Sequence, residues 1–461
     1  MLIIMTTEKT DLLILGAGSA GFGAAYRALC GGVSSVVLID KNPGPGGTSV
    51  FAGVNCWEPG VGGNGIHYEI AKRLMESGDG FVGKTTEYCN ASRPYAVSDR
   101  SEEPYEATLR RAGLGNDDYR RFHFEPDAMS RVMQELLAEA DRDHALTALY
   151  DTSFLSAKTE NGRIISVSVR TPDGERCFQP KIVLDCSAEL VLAQAAGCAW
   201  SWGEDALSAY GEEAAPEQPQ KRVNGITQCF RIEKTGDDRP DTVPARYADV
   251  ELSDWDAYME ATNGPVSCFN VYPRGGISVN MLPTMEGDAL FKMPYEAVKH
   301  LCEARAYRYF ERLKKRPEMA GYHITEMFPM LGVRESVRLK GRYVLTHTDL
   351  QNGYAAVLGK THTAAWADHP ADIHGSGYKM IPANRVYAIP YECMLPERGT
   401  ADNLLVACRA ASFSHLAASS ARLSRTMLAL GEAAGNAAAY CLASGVLPQD
   451  VPETAIPLFL P

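Results

Sequence analysis

A glycine-rich turn near the start of the chain has the spacing of a phosphate-binding loop. The turn is Gly16-Ala17-Gly18-Ser19-Ala20-Gly21, between a short apolar stretch at residues 11–15 and an Ala-rich stretch. Its first glycine permits a tight bend, its second lets the backbone approach a pyrophosphate, and its third lets a helix pack on the preceding strand. The N–H groups at the helix start then face the phosphate charge. A second apolar stretch ends at Asp40, whose carboxylate suits ribose hydroxyl groups. This order predicts a dinucleotide site.

A second run of glycines, Gly60-Val61-Gly62-Gly63-Asn64-Gly65, has the same spacing. It follows Trp57-Glu58-Pro59 rather than a buried strand, and no strand ending in an acid comes after it. The motif depends on that context, so we interpret this run as a loop that shapes a pocket.

A histidine near the end of the chain is the best candidate for proton transfer. His415 lies between a buried strand and the final helix, and an imidazole can give or take a proton near neutral pH. The alternative is a histidine that only caps that helix.

Several arginines could bind an anionic substrate. Arg334 and Arg338 are four residues apart, so a helical stretch would place both on one face, where they suit a carboxylate. The alternative is a surface ion pair with Glu335 or Glu326. Arg422 and Arg425 lie close to the start of the last helix, where they could hold substrate or balance negative charge on a cofactor.

The elements that must position these residues alternate between strands and helices. Residues 11–39 have the strand, turn, helix and strand of half a Rossmann unit. Apolar spacing predicts a helix over residues 126–143, and hairpin turn signals separate β-like stretches at 146–157, 163–171 and 177–184. A buried strand at 403–408 and a long Ala-rich helical segment at 416–444 close the chain.

We therefore expect an α/β fold with two parts. One is a Rossmann-like nucleotide-binding domain with a parallel sheet and a three-stranded β-meander, and the other is an inserted mixed α+β domain that faces the substrate. The expected bounds are 8–199 and 392–447 for the two parts of the nucleotide domain, 200–391 for the substrate domain, and 448–461 for a C-terminal tail.

Composition narrows the class of protein. A formal net charge of -12 over 461 residues argues against a nucleic-acid surface, and no apolar run reaches the roughly 18 residues of a membrane span. Residues 1–5 are too short for a signal sequence, so a cytoplasmic protein is expected, starting at Met1 or at Met5. The twelve cysteines include no C-x-x-C, which predicts free thiols and no metal site.

Four stretches resemble the bacterial FAD-dependent oxidoreductases of the glutathione-reductase-like fold, distant relatives of the succinate dehydrogenase and fumarate reductase flavoproteins. They are the first glycine turn with Gly46-Gly47-Thr48, residues 183–189, residues 331–338 with Gly-Val-Arg-Glu-Ser, and residues 403–435. Ser187, Ala188 and Glu189 depart from the family's Thr, Gly and Asp, and Cys408 stands in place of a glycine.

The resemblance implies FAD, held non-covalently because no histidine follows Gly46-Gly47. The loop at Gly46-Gly47-Thr48 and the meander also favour FAD over NAD. The expected cofactor contacts are Gly16, Gly18, Ser19, Ala20, Gly21, Asp40, Lys41, Gly46, Gly47, Thr48, Phe154, Asp185, Ser187, Arg409, Met427 and Leu428.

The expected function is hydride transfer between FAD and a small hydroxylated or carboxylated molecule, with His415, Arg334, Arg338 and Arg422 as catalytic candidates. Three alternatives stay open: a fumarate-reductase-like reductase of an activated alkene, a flavin-binding protein without turnover, and an NAD-only dehydrogenase. The substrate, the direction of the reaction, the electron donor or acceptor and any homo-oligomer stay open as well.

Overall fold

The computed structural model describes residues 7–84, 99–101, 103–113, 120–237, 239, 241–262, 267–353, 362–375, 379–383 and 386–456. Both candidate start residues, Cys89 and residues 457–461 of the expected tail lie outside the described residues.

The described residues form both strands and α-helices. The strands are β1 (Thr7–Leu15), β2 (Val36–Ile39), β3 (Cys56–Trp57), β4 (Gly80–Lys84), β5 (Asp99–Ser101), β6 (Arg121–Phe124), β7 (Leu146–Leu149), β8 (Ser153–Glu160), β9 (Arg163–Thr171), β10 (Gly174–Asp185), β11 (Trp200–Trp202), β12 (Ile226–Thr227), β13 (Phe230–Lys234), β14 (Cys268–Val271), β15 (Ile277–Asn280), β16 (Tyr322–Met327), β17 (Gly332–Val333), β18 (Val337–Leu339), β19 (Thr363–Ala367), β20 (Ala371–Ile373), β21 (Lys379–Ile381), β22 (Tyr387–Pro390) and β23 (Leu404–Val406). The α-helices are α1 (Ser19–Cys30), α2 (Gly47–Phe51), α3 (Ile66–Glu76), α4 (Tyr105–Gly113), α5 (Pro126–Ala140), α6 (Val191–Ala195), α7 (Leu207–Tyr210), α8 (Ser253–Ala261), α9 (Tyr295–Leu313), α10 (His347–Asn352), α11 (His415–Ala421) and α12 (Ser424–Ser444).

The largest sheet is built from both ends of the chain. Strands β7, β2, β1, β10 and β23 run parallel in that order, with Leu15 opposite both Ile39 and Asp185. All of β2 and the last four residues of β1 are buried, because helices α1, α5 and α12 pack on one face of the sheet and strand β9 with helix α6 packs on the other. The expected α/β fold with a Rossmann-like sheet is confirmed.

The meander is formed by β8, β9 and β10, and β10 has two roles. Its first residues pair antiparallel with β9, whereas residues 183–185 pair parallel with β23. The expectation of one strand over residues 146–157 is wrong. The backbone turns at Asp151, which has a φ of 50°, so β7 joins the parallel sheet and β8 begins separately at Ser153.

Helices α1 and α12 pack closely and in parallel, because small residues line their contact. A Cβ on Gly431 would overlap the carbonyl of Ala20, a Cβ on Gly435 would overlap that of Ala24, and a Cβ on Gly23 would lie 2.7 Å from the Leu428 oxygen. The Ala-rich C-terminal segment thus packs against the helix that follows the phosphate turn. It is interrupted at Arg422, where α11 ends.

A second region has its own four-stranded antiparallel sheet, in the order β14-β15-β13-β16. Phe230 and Val279 on this sheet pack with Trp255 of α8 and Phe310 of α9 in a separate hydrophobic core. Among the described residues no helix is long and apolar enough to cross a bilayer. Every cysteine in the described ranges is a free thiol.

Candidate active site

The glycine turn has the strained backbone that its spacing predicts. Gly16 has a φ of +101°, and a Cβ there would overlap the carbonyl of Cys186 at the end of β10. A Cβ on Gly21 would overlap the carbonyl of Gly16. These two positions therefore need glycine for the fold itself, whether or not a ligand is bound.

Gly18 has a different role, because the protein leaves space around it. The nearest atom to a Cβ on Gly18 is the Cα of Gly47, 3.9 Å away, and the Gly46 N–H donates to the Ala17 carbonyl at 2.9 Å. Gly18, Ser19 and Gly47 are half-buried, Thr48 is exposed, and the first turn of α1 has no acidic residue. The start of α1 is therefore partly accessible and has no acidic side chain in its first turn, which suits a pyrophosphate.

Asp40 follows β2 and is held against the turn. Its Oδ2 accepts from the Ala17 N–H at 2.6 Å and its Oδ1 from the Asn42 N–H at 2.8 Å. Burial raises the pKa of the carboxyl, although these hydrogen bonds oppose the effect. Oδ1 also accepts from Nδ2 of Asn42 at 2.8 Å, so Oδ2 is the oxygen with a lone pair left for a ribose hydroxyl.

The other expected cofactor contacts differ in their surroundings. Lys41 is exposed, with its Nζ 5.1 Å from the centre of the Tyr295 ring, and Phe154 is half-buried on β8. Met427 and Leu428 are buried in α12, where the Leu428 carbonyl faces Gly23. The structure thus uses Leu428 to hold α12 against α1.

The end of β10 is organised by its own carboxylate. Asp185 is fully buried, and its two oxygens accept from the N–H and hydroxyl of Ser187 and from the N–H groups of Leu192 and Ala193 at the start of α6. The structure therefore gives Asp185 and Ser187 a role in loop geometry. Arg409 forms an ion pair with Glu189 beside them.

His415 is the first residue of α11, and Ser414 caps that helix by accepting from the Ala417 N–H at 3.1 Å. The imidazole Nδ1 lies 2.9 Å from Oε1 of Glu335, and Nε2 lies 3.9 Å from Oε1 of Glu204. A carboxylate can only accept, so Nδ1 carries the proton and Nε2 is left for proton transfer. Nε2 has no hydrogen-bond partner within the described ranges.

The Glu335 carboxyl is ionised although it is buried. Burial by itself raises its pKa, but the charges of His415 and Arg338 and the hydrogen bonds from His415 and Asn224 outweigh burial and lower the pKa to about 2. Glu335 was expected only as a surface partner for arginine. It is instead 2% exposed and central to the site.

Arg338 does not share a face with Arg334, so the expectation of a helix over residues 334–338 is wrong. The chain forms β17 and then β18 here, with an irregular segment between them. Arg338 is 1% exposed and donates to the Phe413 and Gly203 carbonyls, to Asp205 at 3.0 Å and to Glu335. These donors of Arg338 are used by partners within the protein, so Arg338 holds Glu335 in place rather than a substrate.

Arg334 and Arg422 come together around His374. The imidazole Nε2 of His374 lies 2.7 Å from Oδ2 of Asp372, which also accepts from Nη2 of Arg422 at 3.0 Å. Arg334 donates to the Thr227 hydroxyl at 2.9 Å. Burial, then the charge of Arg334, lowers the pKa of His374 to about 3, with a smaller contribution from Arg422. His374 is therefore neutral at neutral pH.

The second glycine run holds an arginine rather than a phosphate. A Cβ on Gly60 would lie 2.6 Å from Cζ of Arg425, and the Val61 carbonyl accepts from that guanidinium. The Val61 N–H donates to Asp368 at 3.0 Å, and Asp368 pairs with Arg425 at 2.7 Å. The loop thus encloses an ion pair at the start of α12.

Comparison with known proteins decides the family. The family model described as "FAD dependent oxidoreductase" matches residues 11–458. The chain belongs to the FAD-dependent oxidoreductase family. The expectations of FAD as cofactor and of oxidoreductase activity are thereby confirmed.

Individual relatives of this FAD-dependent oxidoreductase are distant. A 3-oxosteroid 1-dehydrogenase from Rhodococcus opacus is 38% identical over 55 residues, which are 12% of this chain and only 11% of that protein. The myxobacterial chondrochloren halogenase CndH has a TM-score of 0.47 and 14% identity over 97% of this chain and 77% of its own. A geranylgeranyl bacteriochlorophyll reductase-like protein from Thermoplasma acidophilum has a TM-score of 0.45 and 12% identity, over 95% and 80%.

The residues around the glycine turn of this FAD-dependent oxidoreductase fit its cofactor. The half-buried N–H groups at Gly18 and Ser19 would hold the pyrophosphate, Asp40 would hold the ribose, and the loop at Gly47 and Thr48 would contact the riboflavin half. None of these positions presents a carboxylate to the phosphates at the first turn of α1.

Three buried or half-buried residues of the enzyme were missed from sequence: Asn224, Asp372 and His374. Asn224 lies in an irregular segment far from the other two in the chain, so no spacing relates all three. The only available signal was the pair Asp372 and His374, which are two residues apart at the end of β20.

Proposed function

We propose that this enzyme exchanges a hydride between non-covalently bound FAD and a small organic substrate that carries a carboxylate or similar oxyanion. The observation that carries the proposal is the pair of guanidinium groups, Arg334 and Arg422, around a neutral His374. Guanidinium groups bind carboxylates well, and partial burial strengthens the attraction.

His415 is proposed to handle the proton that accompanies the hydride. When bound, FAD supplies the hydride acceptor or donor. Glu335 holds the proton on Nδ1 of His415, so Nε2 can accept a proton from a hydroxyl group or, once protonated, return it. The ionised Glu335 also stabilises the imidazolium while it carries that proton.

One contact favours a second candidate, the reduction of an activated alkene. The guanidinium of Arg422 lies 3.0 Å from Asp372, so a carboxylate stands next to an arginine at the same site. An arginine that gives a proton to a substrate carbon needs such a neighbour to restore it. In this candidate Arg422 replaces His415 as the proton donor.

A flavin-reduction screen tests the proposal. The oxidised holoenzyme would be mixed anaerobically with hydroxylated carboxylates and with neutral polyols of similar size, and bleaching of the flavin absorbance would be followed. We expect bleaching by a hydroxylated carboxylate and a large loss of rate in Arg334→Gln and His415→Gln. Reoxidation of the reduced enzyme by a carboxylated alkene alone would support the second candidate. A flavin that none of these compounds reduces or reoxidises would overturn both.

A further inference from the structure

Asn224 is a buried asparagine that links both halves of the proposed site. It is 0% exposed. Its backbone N–H and its Nδ2 both donate to Oε2 of Glu335, at 3.0 and 2.8 Å, and Nδ2 also donates to the Ser419 hydroxyl at 2.8 Å. Its Oδ1 accepts from the His374 N–H at 2.8 Å. The amide therefore uses both its donors and its acceptor.

These contacts determine which oxygen of Glu335 faces the imidazole. Asn224 donates two hydrogen bonds to Oε2 of Glu335, which leaves Oε1 for His415 and Arg338. Ser419, the other partner of the amide, donates to the His415 carbonyl at 2.9 Å. Asn224 thus reaches His415 by two routes, through its carboxylate partner and through its helix.

The same segment holds the arginine side of the site. The N–H of Gly225 donates to the His374 carbonyl at 2.8 Å, and the Gly225 carbonyl accepts from Arg334 at 3.0 Å. Two consecutive residues, Asn224 and Gly225, therefore bind the Glu335 carboxylate, the backbone of His374 and the guanidinium of Arg334.

We propose that Asn224 is a positioning residue that fixes the Glu335 carboxylate against His415 and holds the His374 segment beside it. The proposal rests on the proposed function in one respect, since it treats His415 as the proton-handling group. The partners of the Asn224 side chain within the described residues are Glu335, His374 and Ser419. Asn224 acts through Glu335 and His374.

Replacing Asn224 by aspartate separates the effect of its hydrogen bonds on Glu335 from the effect of its side-chain size. The side chain keeps its size but loses both amide donors, and it places a carboxylate next to Glu335. Two carboxylates in contact repel each other, so Glu335 turns or takes up a proton, and its contact with His415 weakens. The charged groups that face His415 from neighbouring elements are Glu204, Asp205, Glu212, Glu335 and Arg338.

The test uses the FAD-loaded enzyme with ¹⁵N-labelled histidine. The ring-nitrogen resonances of His415, assigned by their loss in His415→Gln, report which nitrogen carries the proton. We expect the native enzyme to show the Nδ1–H form and Asn224→Asp to lose it. Asn224→Ser, which keeps the backbone donor to Glu335 but not the amide, should give a smaller change and serves if the aspartate variant does not fold.

Asn403→Asp is the matched control. Asn403 is also buried, and its amide also uses its donors and acceptor, with Ile164 and Lys181 as partners in the main sheet. It should lower thermal stability as Asn224→Asp does but leave the His415 resonances unchanged. Unchanged resonances in Asn224→Asp and Asn224→Ser, or the same change in Asn403→Asp, would overturn the proposal.

The readout needs no substrate, so its failure is distinct from failure of the proposed function. If the flavin-reduction screen finds no substrate, the nitrogen resonances still show whether Asn224 positions His415. If the resonances change while reduction rates do not, Asn224 positions a histidine without a catalytic role, which contradicts the function assigned to His415.

Discussion

Nδ1 of His415 lies 2.9 Å from Oε1 of Glu335, a contact between residues 80 positions apart in the chain. It joins the first residue of α11 to the irregular segment between β17 and β18. Because both side chains are buried, the orientation of the imidazole depends on a single carboxylate.

Glu335→Gln tests that dependence. A neutral amide cannot stabilise the imidazolium, so we expect flavin reduction to slow by about 100-fold, as for loss of a general base. His415→Gln should cause a similar loss, and the double variant should lose little more, because the two residues act as a unit. Stopped-flow reduction of the flavin measures all three. Additive losses would show that the two residues act separately.

Arg334→Gln and Arg422→Gln should weaken substrate binding. Loss of a charge-assisted hydrogen bond costs roughly 1.5–3 kcal/mol, so we expect KM to rise by about 10- to 100-fold for an anionic substrate. Arg308→Gln is the control, since Arg308 pairs with Glu311 on α9. Equal KM values for Arg334→Gln, Arg422→Gln and the native enzyme would show that these arginines do not bind the substrate.

Two glycine variants separate FAD binding from folding. Gly18→Ala meets no protein atom closer than 3.9 Å, so the apoprotein should fold normally while the new methyl group blocks the approach of the pyrophosphate. Gly21→Ala overlaps the Gly16 carbonyl and should destabilise the apoprotein itself. FAD released per polypeptide and apoprotein melting temperature are the measurements. Full FAD content in Gly18→Ala would place the phosphates elsewhere.

His67 should contribute to acid sensitivity. It is fully buried against Trp57, and burial lowers its pKa to about 3. The unfolded chain takes up a proton at His67 near pH 6.5, whereas the folded protein does not until about pH 3. The stability from neutral His67 is therefore complete above about pH 6.5 and falls as the pH approaches 3.

His67→Phe removes this group without creating a charge. Denaturant unfolding from pH 7.5 to pH 4 should show a shallower loss of stability for His67→Phe than for the native protein. His144→Asn, which changes an exposed histidine, should keep the native dependence. Parallel curves for all three proteins would contradict the prediction.

Arg338→Met tests the structural role of Arg338. Removing one member of a buried ion pair leaves Glu335 uncompensated, so we expect the free energy of unfolding to fall by about 3–5 kcal/mol. Adding Glu335→Gln to Arg338→Met should restore part of the loss. Chemical denaturation measures both. A native-like stability for Arg338→Met would mean that the arginine is not the anchor described above.

The FAD end of the site could be predicted from sequence because its residues are nearly consecutive. Gly16, Gly18, Gly21 and Asp40 belong to one strand, turn, helix and strand, and local sterics set their roles. The arginine and histidine side could be predicted only by residue type. A spacing of four suits a helix, but Arg334 lies in the irregular segment after β17 and Arg338 lies in β18.

Asn224 could not be predicted. Its role comes from four hydrogen bonds to three residues that are distant in the chain, Glu335, His374 and Ser419, and an asparagine in an irregular segment gives no local signal. For Asp185 the position could be predicted, but the role could not. Its place at the end of a central strand was clear, but the structure uses its carboxylate to begin α6.

The close packing of α1 on α12 constrains the order of events during synthesis. The two helices are separated by nearly 400 residues, and their contact leaves no space for a Cβ at Gly431 or Gly435. At roughly 5–20 residues per second, the ribosome delivers α12 about 20 to 80 seconds after α1 emerges. Throughout that interval the apolar face of α1 lacks its partner. Chaperone capture of the nascent chain should therefore concentrate on its first segment, and truncations that remove α12 should aggregate even when the intervening region has folded.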